Sequence, residues 1–154
     1  MAHEREIIWG CFHDTQYFAE NLFDKLPPEF RKSLSKIKQI KEFQEKRIVI
    51  AKGKLPNIYV LREGQAKINF FNQINQKNVA QLIEKDRIIG LTETIGNFNF
   101  KMKVKTITPC VFEFIKQKDF LKLLYNEPEV CFQLVKMLSL DLNNNYKTFY
   151  SSTF

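Results

Sequence analysis

A chain of 154 residues fits one domain, and 44% hydrophobic residues with 15 Phe can bury a core without disulfides or a metal. No apolar run reaches the roughly 18 residues that a membrane-spanning helix needs, so no membrane partner is expected. Lys and Arg total 24 against 17 Asp and Glu, a formal net charge of +7 that suits an anionic partner: a small phosphate, a nucleic acid or an acidic protein. Three widely spaced cysteines, Cys11, Cys110 and Cys131, read as separate thiols rather than a disulfide framework. The opening MAHEREIIWGCF mixes charges and lacks a small-residue cleavage site, which predicts a cytoplasmic protein.

In chain order, Phe18, Leu22 and Phe23 fall on one face of a predicted helix over 15–24. Pro27-Pro28-Glu29 then restarts the chain, and Phe30, Leu34 and Ile37 recur at helical spacing with Arg31, Lys32 and Lys36 pointing elsewhere. The densest basic run, Arg31 to Lys46, is placed on this helix and its exit. After about residue 40 the period shortens. Apolar runs at 48–50, 58–61, 66–70, 79–83, 88–89, 102–107 and 111–115 alternate with turn signals such as Gly53, Gly64, Asn72 to Asn78 and Gly96-Asn97. Lys101-Met102-Lys103-Val104-Lys105-Thr106 puts three lysines on one face of a strand. Asp119 to Leu124 reads as a short amphipathic helix, and Pro128 opens a long one. On that helix Cys131, Val135, Leu138, Leu142, Asn145 and Phe149 follow spacings of four, three, four, three and four, close to a heptad seam.

The expected fold is therefore mainly β with flanking helices. It is an antiparallel β-roll of about eight strands (a jelly-roll-like double-stranded β-helix) over about 40–116, with N-terminal helices and C-terminal helices over about 117–150. Residues 1–154 are read as a single domain. Enzyme chemistry finds little support. Cupin-type metal sites draw His and Glu from neighbouring strands, but the two histidines, His3 and His13, precede the roll, so no metal is expected. Cys110 has no histidine near it in sequence, and neither a Walker loop nor a Gly-x-Ser-x-Gly elbow is present.

The ordered pieces FDKLPPEFRKSL, FQEKRIVIAKGKLPNIYVLREGQAKI, DRIIGLTETIG and VKTITPCVFEFIKQKDFLKLLYNEPEVCFQLVKMLSLDL resemble the cyclic-nucleotide-binding domain of the Crp/Fnr superfamily of regulators. The resemblance covers about residues 23–150. It implies that DRIIGLTETIG starts a phosphate-binding cassette in which Gly90 allows close backbone approach. In the family a Glu after that glycine grips the ribose, and an Arg followed by Ser or Thr clamps the phosphate. Here Leu91 follows the glycine, Thr92 and Glu93 start the short helix, and the arginine and hydroxyl positions fall on Phe100, Lys101 or Met102. Lys supplies charge without the guanidinium fork, so ordinary cyclic AMP or cyclic GMP binding is not expected from these contacts.

The resemblance also places Asn145 and Tyr146 near a ligand base and implies a homodimer through the C-terminal helix, with Cys131, Val135, Leu138, Leu142 and Phe149 at its seam. The winged helix-turn-helix of such regulators is missing from the sequence. The chain is thus expected to be a regulatory ligand-sensing module that takes a cyclic nucleotide or another small anion. The alternatives are a ligand-free dimerisation or scaffold domain, or the truncated sensor half of a DNA-binding regulator.

Overall fold

The computed structural model describes residues 23–153 apart from 25 and 74, and leaves the side chains of 141 and 144–153 outside the description. Helix α1 spans Pro28–Ile37. Strands β1 (Gln39–Phe43), β2 (Ile48–Ile50), β3 (Asn57–Glu63), β4 (Ala66–Asn72), β5 (Lys77–Ile83) and β6 (Ile88–Ile89) follow. The short helix α2 (Leu91–Gly96) precedes β7 (Met102–Thr106) and β8 (Cys110–Lys116), and α3 (Gln117–Asn126) leads into α4 (Pro128–Thr153). This is the expected β-roll with flanking helices.

The strands form two four-stranded antiparallel sheets, ordered β1-β8-β3-β6 and β2-β7-β4-β5. Side chains between the sheets make one core, with Ile50, Leu61, Ile68, Val104 and Phe112 buried there. The outer face of the first sheet makes a second core with the helices, through Ile58, Val60 and Ile115 against Phe30, Leu34, Phe120 and Leu134. Strand β3 feeds both, because successive residues point to opposite faces: Tyr59 and Leu61 enter the roll while Ile58 and Val60 face the helices. Burying one such large apolar side chain is worth about 1.5–3 kcal/mol. Four consecutive positions of β3, Ile58 to Leu61, are buried in this way.

Helix α1 starts where Pro28 presets the backbone and Glu29 meets the positive end of the dipole. Phe30 and Leu34 bury its inner face, and the Ser33 hydroxyl donates to the Glu127 carboxylate at 3.2 Å, tying α1 to the end of α3. Strand β1 lies within the basic run expected on the helix and its exit, which instead divides among α1, β1 and the following turn. Its side chains facing the roll begin with Gln39 and Lys41, which give no apolar alternation. Lys41 compensates by holding its ammonium 3.7 Å from the centroid of the Phe114 ring. Of the helix expected over 15–24, Phe23 and Asp24 are described, in a turn, and the remainder lies outside the described residues. Among the described residues no helix is long and apolar enough to cross a membrane.

Candidate ligand-binding cassette

Strand β6 pairs with β3, Ile89 opposite Tyr59, and delivers the chain to Gly90. Gly90 has φ +93°, the left-handed region that penalises a side chain. A Cβ there would lie 2.0 Å from the Asn57 carbonyl oxygen and 2.9 Å from Cζ of Phe100. The close approach that glycine permits at this position is thus taken up by the protein's own chain.

Helix α2 begins at Leu91, which is 3% exposed and packs into the helix-side core beside Ile88. Glu93 is also buried, and its carboxylate accepts a 2.5 Å hydrogen bond from the Thr92 hydroxyl. The helix ends at Asn97, itself left-handed at φ 57°, and the Phe98 amide donates back to the Glu93 carbonyl at 3.1 Å. That turn lays the Phe98 ring over Gly96 and leaves it exposed, with the Lys101 ammonium 5.9 Å from its centroid.

Phe100 goes the other way. It is 2% exposed, and its ring packs against Tyr59 at 6.4 Å in the roll interior. Its amide donates to the Lys54 carbonyl at 3.0 Å, and its carbonyl accepts from the Gly53 amide at 2.7 Å. The segment around 97–101 is thereby clipped to the 51–56 loop. Lys101 stays exposed, and Met102 enters β7 opposite Phe70 and packs on the roll core.

The arginine nearest in sequence, Arg87, is buried and donates to the Leu82 carbonyl at 3.5 Å, and burial brings its pKa down to about 10. Gly90, Leu91, Thr92, Glu93 and Phe100 therefore come together, with Leu91 and Phe100 turned into two different cores. Sequence reasoning missed Asn57 and Gln117. The Asn57 side chain accepts from the Gln117 amide at 3.0 Å, while its carbonyl covers Gly90. The Gln117 amide group donates to the Thr94 carbonyl at 3.2 Å and to the Asn97 side chain at 2.9 Å. One residue at the start of α3 is thus bonded to both α2 and its C-cap.

On α4, Val130 and Leu134 are buried, and Met137 and Leu138 pack against the same helix-side core. Cys131 is half-buried, whereas Val135 is 52% exposed and Leu142 43%. Phe132 and Leu140, which the heptad reading passed over, are exposed as well. Asn145, Tyr146 and Phe149 lie on α4 with their side chains outside the description. The Cys110 thiol is buried between the carbonyls of Gln65 and Thr108, each 3.2 Å away, and burial raises its pKa.

A family model described as the cyclic nucleotide-binding domain matches residues 40–127. No curated protein matches the chain. Among solved structures, a Silicibacter pomeroyi regulatory protein assigned to cAMP binding aligns at TM-score 0.71 and 16% identity, over 89% of this chain and 64% of that one. The catabolite activator protein of Thermus thermophilus aligns at 0.67 and 16% identity, over 87% of this chain and 63% of its own. The sensor domain of the Pseudomonas aeruginosa transcriptional regulator DNR aligns at 0.61 and 16% identity, over 90% of this chain and 92% of its own. The chain thus spans less than two thirds of the first two proteins.

Proposed function

Because this chain belongs to the cyclic nucleotide-binding domain family, with structural neighbours of the Crp/Fnr type, we propose that it acts as a non-enzymatic regulatory module that does not hold a cyclic nucleotide by the family's usual contacts. The observation that carries this reading is the Phe100 ring, packed beneath Gly90 at one of the positions over which the resemblance spreads the phosphate clamp. Admitting a phosphate beside Gly90 would mean displacing that ring, giving up about 1.5–3 kcal/mol of apolar burial. The charge-assisted hydrogen bonds that would offset this cost come in the family from Glu and Arg; here the Glu position carries Leu91, and the Arg position falls on Phe100 or on Lys101, which lacks the guanidinium fork.

The test is titration calorimetry of the protein with cyclic AMP, cyclic GMP and cyclic dinucleotides. No saturable heat is expected with any of them. Micromolar saturable binding of any one of these nucleotides would sink the reading.

The output of the module runs through its helices. Gln117 joins the cassette helix to α3, and α3 leads directly into α4. On α4 the exposed Val135 and Leu142 support a homodimer in which two copies of this helix pair. A shift in the cassette would then bias the dimer by moving α3 against it.

A further inference from the structure

Helix packing is concentrated on β3 and β8 of the first sheet. On the outer face of the second sheet, β2-β7-β4-β5, Ile48, Phe71, Leu82 and Lys103 are exposed. Register fixes what this face presents. One row across the four strands reads Leu82, Lys67, Lys105, Ile48, and the next reads Ala80, Asn69, Lys103. Lys67 and Lys105 are directly opposed partners. Like charges placed so are destabilising, and an acidic residue at either position would relieve them. These rows contain no carboxylate; acidic residues enter in the flanking turns, Glu45 beside Lys46 and Arg47, and Glu84 beside Lys85.

We propose that this face docks on the anionic headgroup layer of a membrane surface. An uncompensated lysine pair with a third lysine beside it calls for an anionic partner. The residue types on the face choose among such partners. The rows contain no arginine, so they lack the planar fork that favours nucleic-acid phosphates, and Phe71 alone does not make a platform for stacked bases. Protein interface centres are depleted in lysine and draw their energy from Trp, Tyr and Arg, none of which stands in these rows. A headgroup layer suits solvated point charges on flexible stems. It also gives the aliphatic row ends, Ile48 at 55% and Leu82 at 59% exposure, an acyl boundary to touch. The contact is with a surface and involves no spanning segment.

The test is co-sedimentation of the 154-residue protein with phosphatidylcholine vesicles, with and without about one-third phosphatidylserine. Three lysines near the surface should favour the anionic vesicles about a hundredfold, and that preference should fade as salt rises. A Lys67→Glu/Lys103→Glu/Lys105→Glu variant should lose it. A Lys→Gln version of the same three changes, with thermal melts of both, separates lost binding from lost folding. Equal partition into both vesicles, no association with either, or full binding by a folded charge-reversed variant would overturn the proposal. So would capture of a single-stranded oligonucleotide or of polyglutamate in place of the vesicles.

Discussion

Truncating Phe100 to Ala tests whether the cassette is a packed wall or a binding surface. The ring is 2% exposed, so its removal forfeits nearly the whole transfer free energy of a buried aromatic, about 1.5–3 kcal/mol. The space left behind adds to that, and fully buried Phe→Ala changes cost about 3–5 kcal/mol in total. Partial collapse favours the lower end here, because residues 97–101 lie outside helix and strand and are held by the two backbone bonds to Gly53 and Lys54. Gly90, across from the ring, has no side chain to refill the gap. The expected loss is therefore about 3 kcal/mol, or roughly 10 °C in Tm for a chain of this size. Urea denaturation followed by circular dichroism measures it, with the m-value as a check on two-state behaviour. A loss below about 1 kcal/mol would show that the ring is not part of the core, and the reasoning from Phe100 to an occupied cassette would fail with it.

Gly90→Ala should cost at least about 2 kcal/mol by the same assay, from the left-handed backbone and the contact with the Asn57 carbonyl. Combining it with Phe100→Leu should not rescue it, because the nearer obstacle is backbone. Val135→Asp with Leu142→Asp should turn a sedimenting dimer into a monomer with little change in melting; Leu138→Asp would confuse the two effects, since Leu138 packs on the core. Burial raises the Tyr59 phenol above its ordinary pKa, so as pH climbs past about 10 the unfolded chain gives up its proton first and stability falls. Tyr59→Phe should flatten that alkaline decline in denaturation measured from pH 8 to 11 (about the range where a phenol titrates). Iodoacetamide should label Cys131 well before Cys110, whose buried thiol has a raised pKa; equal rates in the folded protein would contradict the burial.

Much of the roll was legible because its strands carry apolar runs between turn residues. Those at 48–50 and 88–89 have the same bounds in the structure, and the others differ by a few residues at their ends. Strand β1 was not legible, since Lys41 takes an inward position by lending its stem and charge to an aromatic face. The glycine of the cassette could be read from its place after an apolar run. The inward turn of Leu91 and Phe100 could not, because it depends on Asn57 and Tyr59, more than 30 residues away in sequence. On α4 two stripes overlap. Val130, Leu134 and Met137 face the core, Val135 and Leu142 face away, and Leu138 lies in both patterns, so spacing alone could not separate core from seam.

The double burial of β3 changes how its pairing is specified. In a strand with one wet face, slipping by one residue exposes the apolar set, and the penalty enforces the alignment. Ile58, Val60 and Leu61 are apolar and Tyr59 is an aromatic ring with a single hydroxyl, so such a slip would still present largely apolar groups to both cores. Discrimination then falls to the polar ends. Asn57 must reach the Gln117 amide, and Arg62 must reach both Asp86 at 2.7 Å and Glu113 at 2.9 Å. Displaced by one position, the Arg62 guanidinium would be driven into the roll interior and both carboxylates would lose it. The correct alignment of the central strand is thus written in two residues at its tips, and errors in folding should multiply when they are removed together.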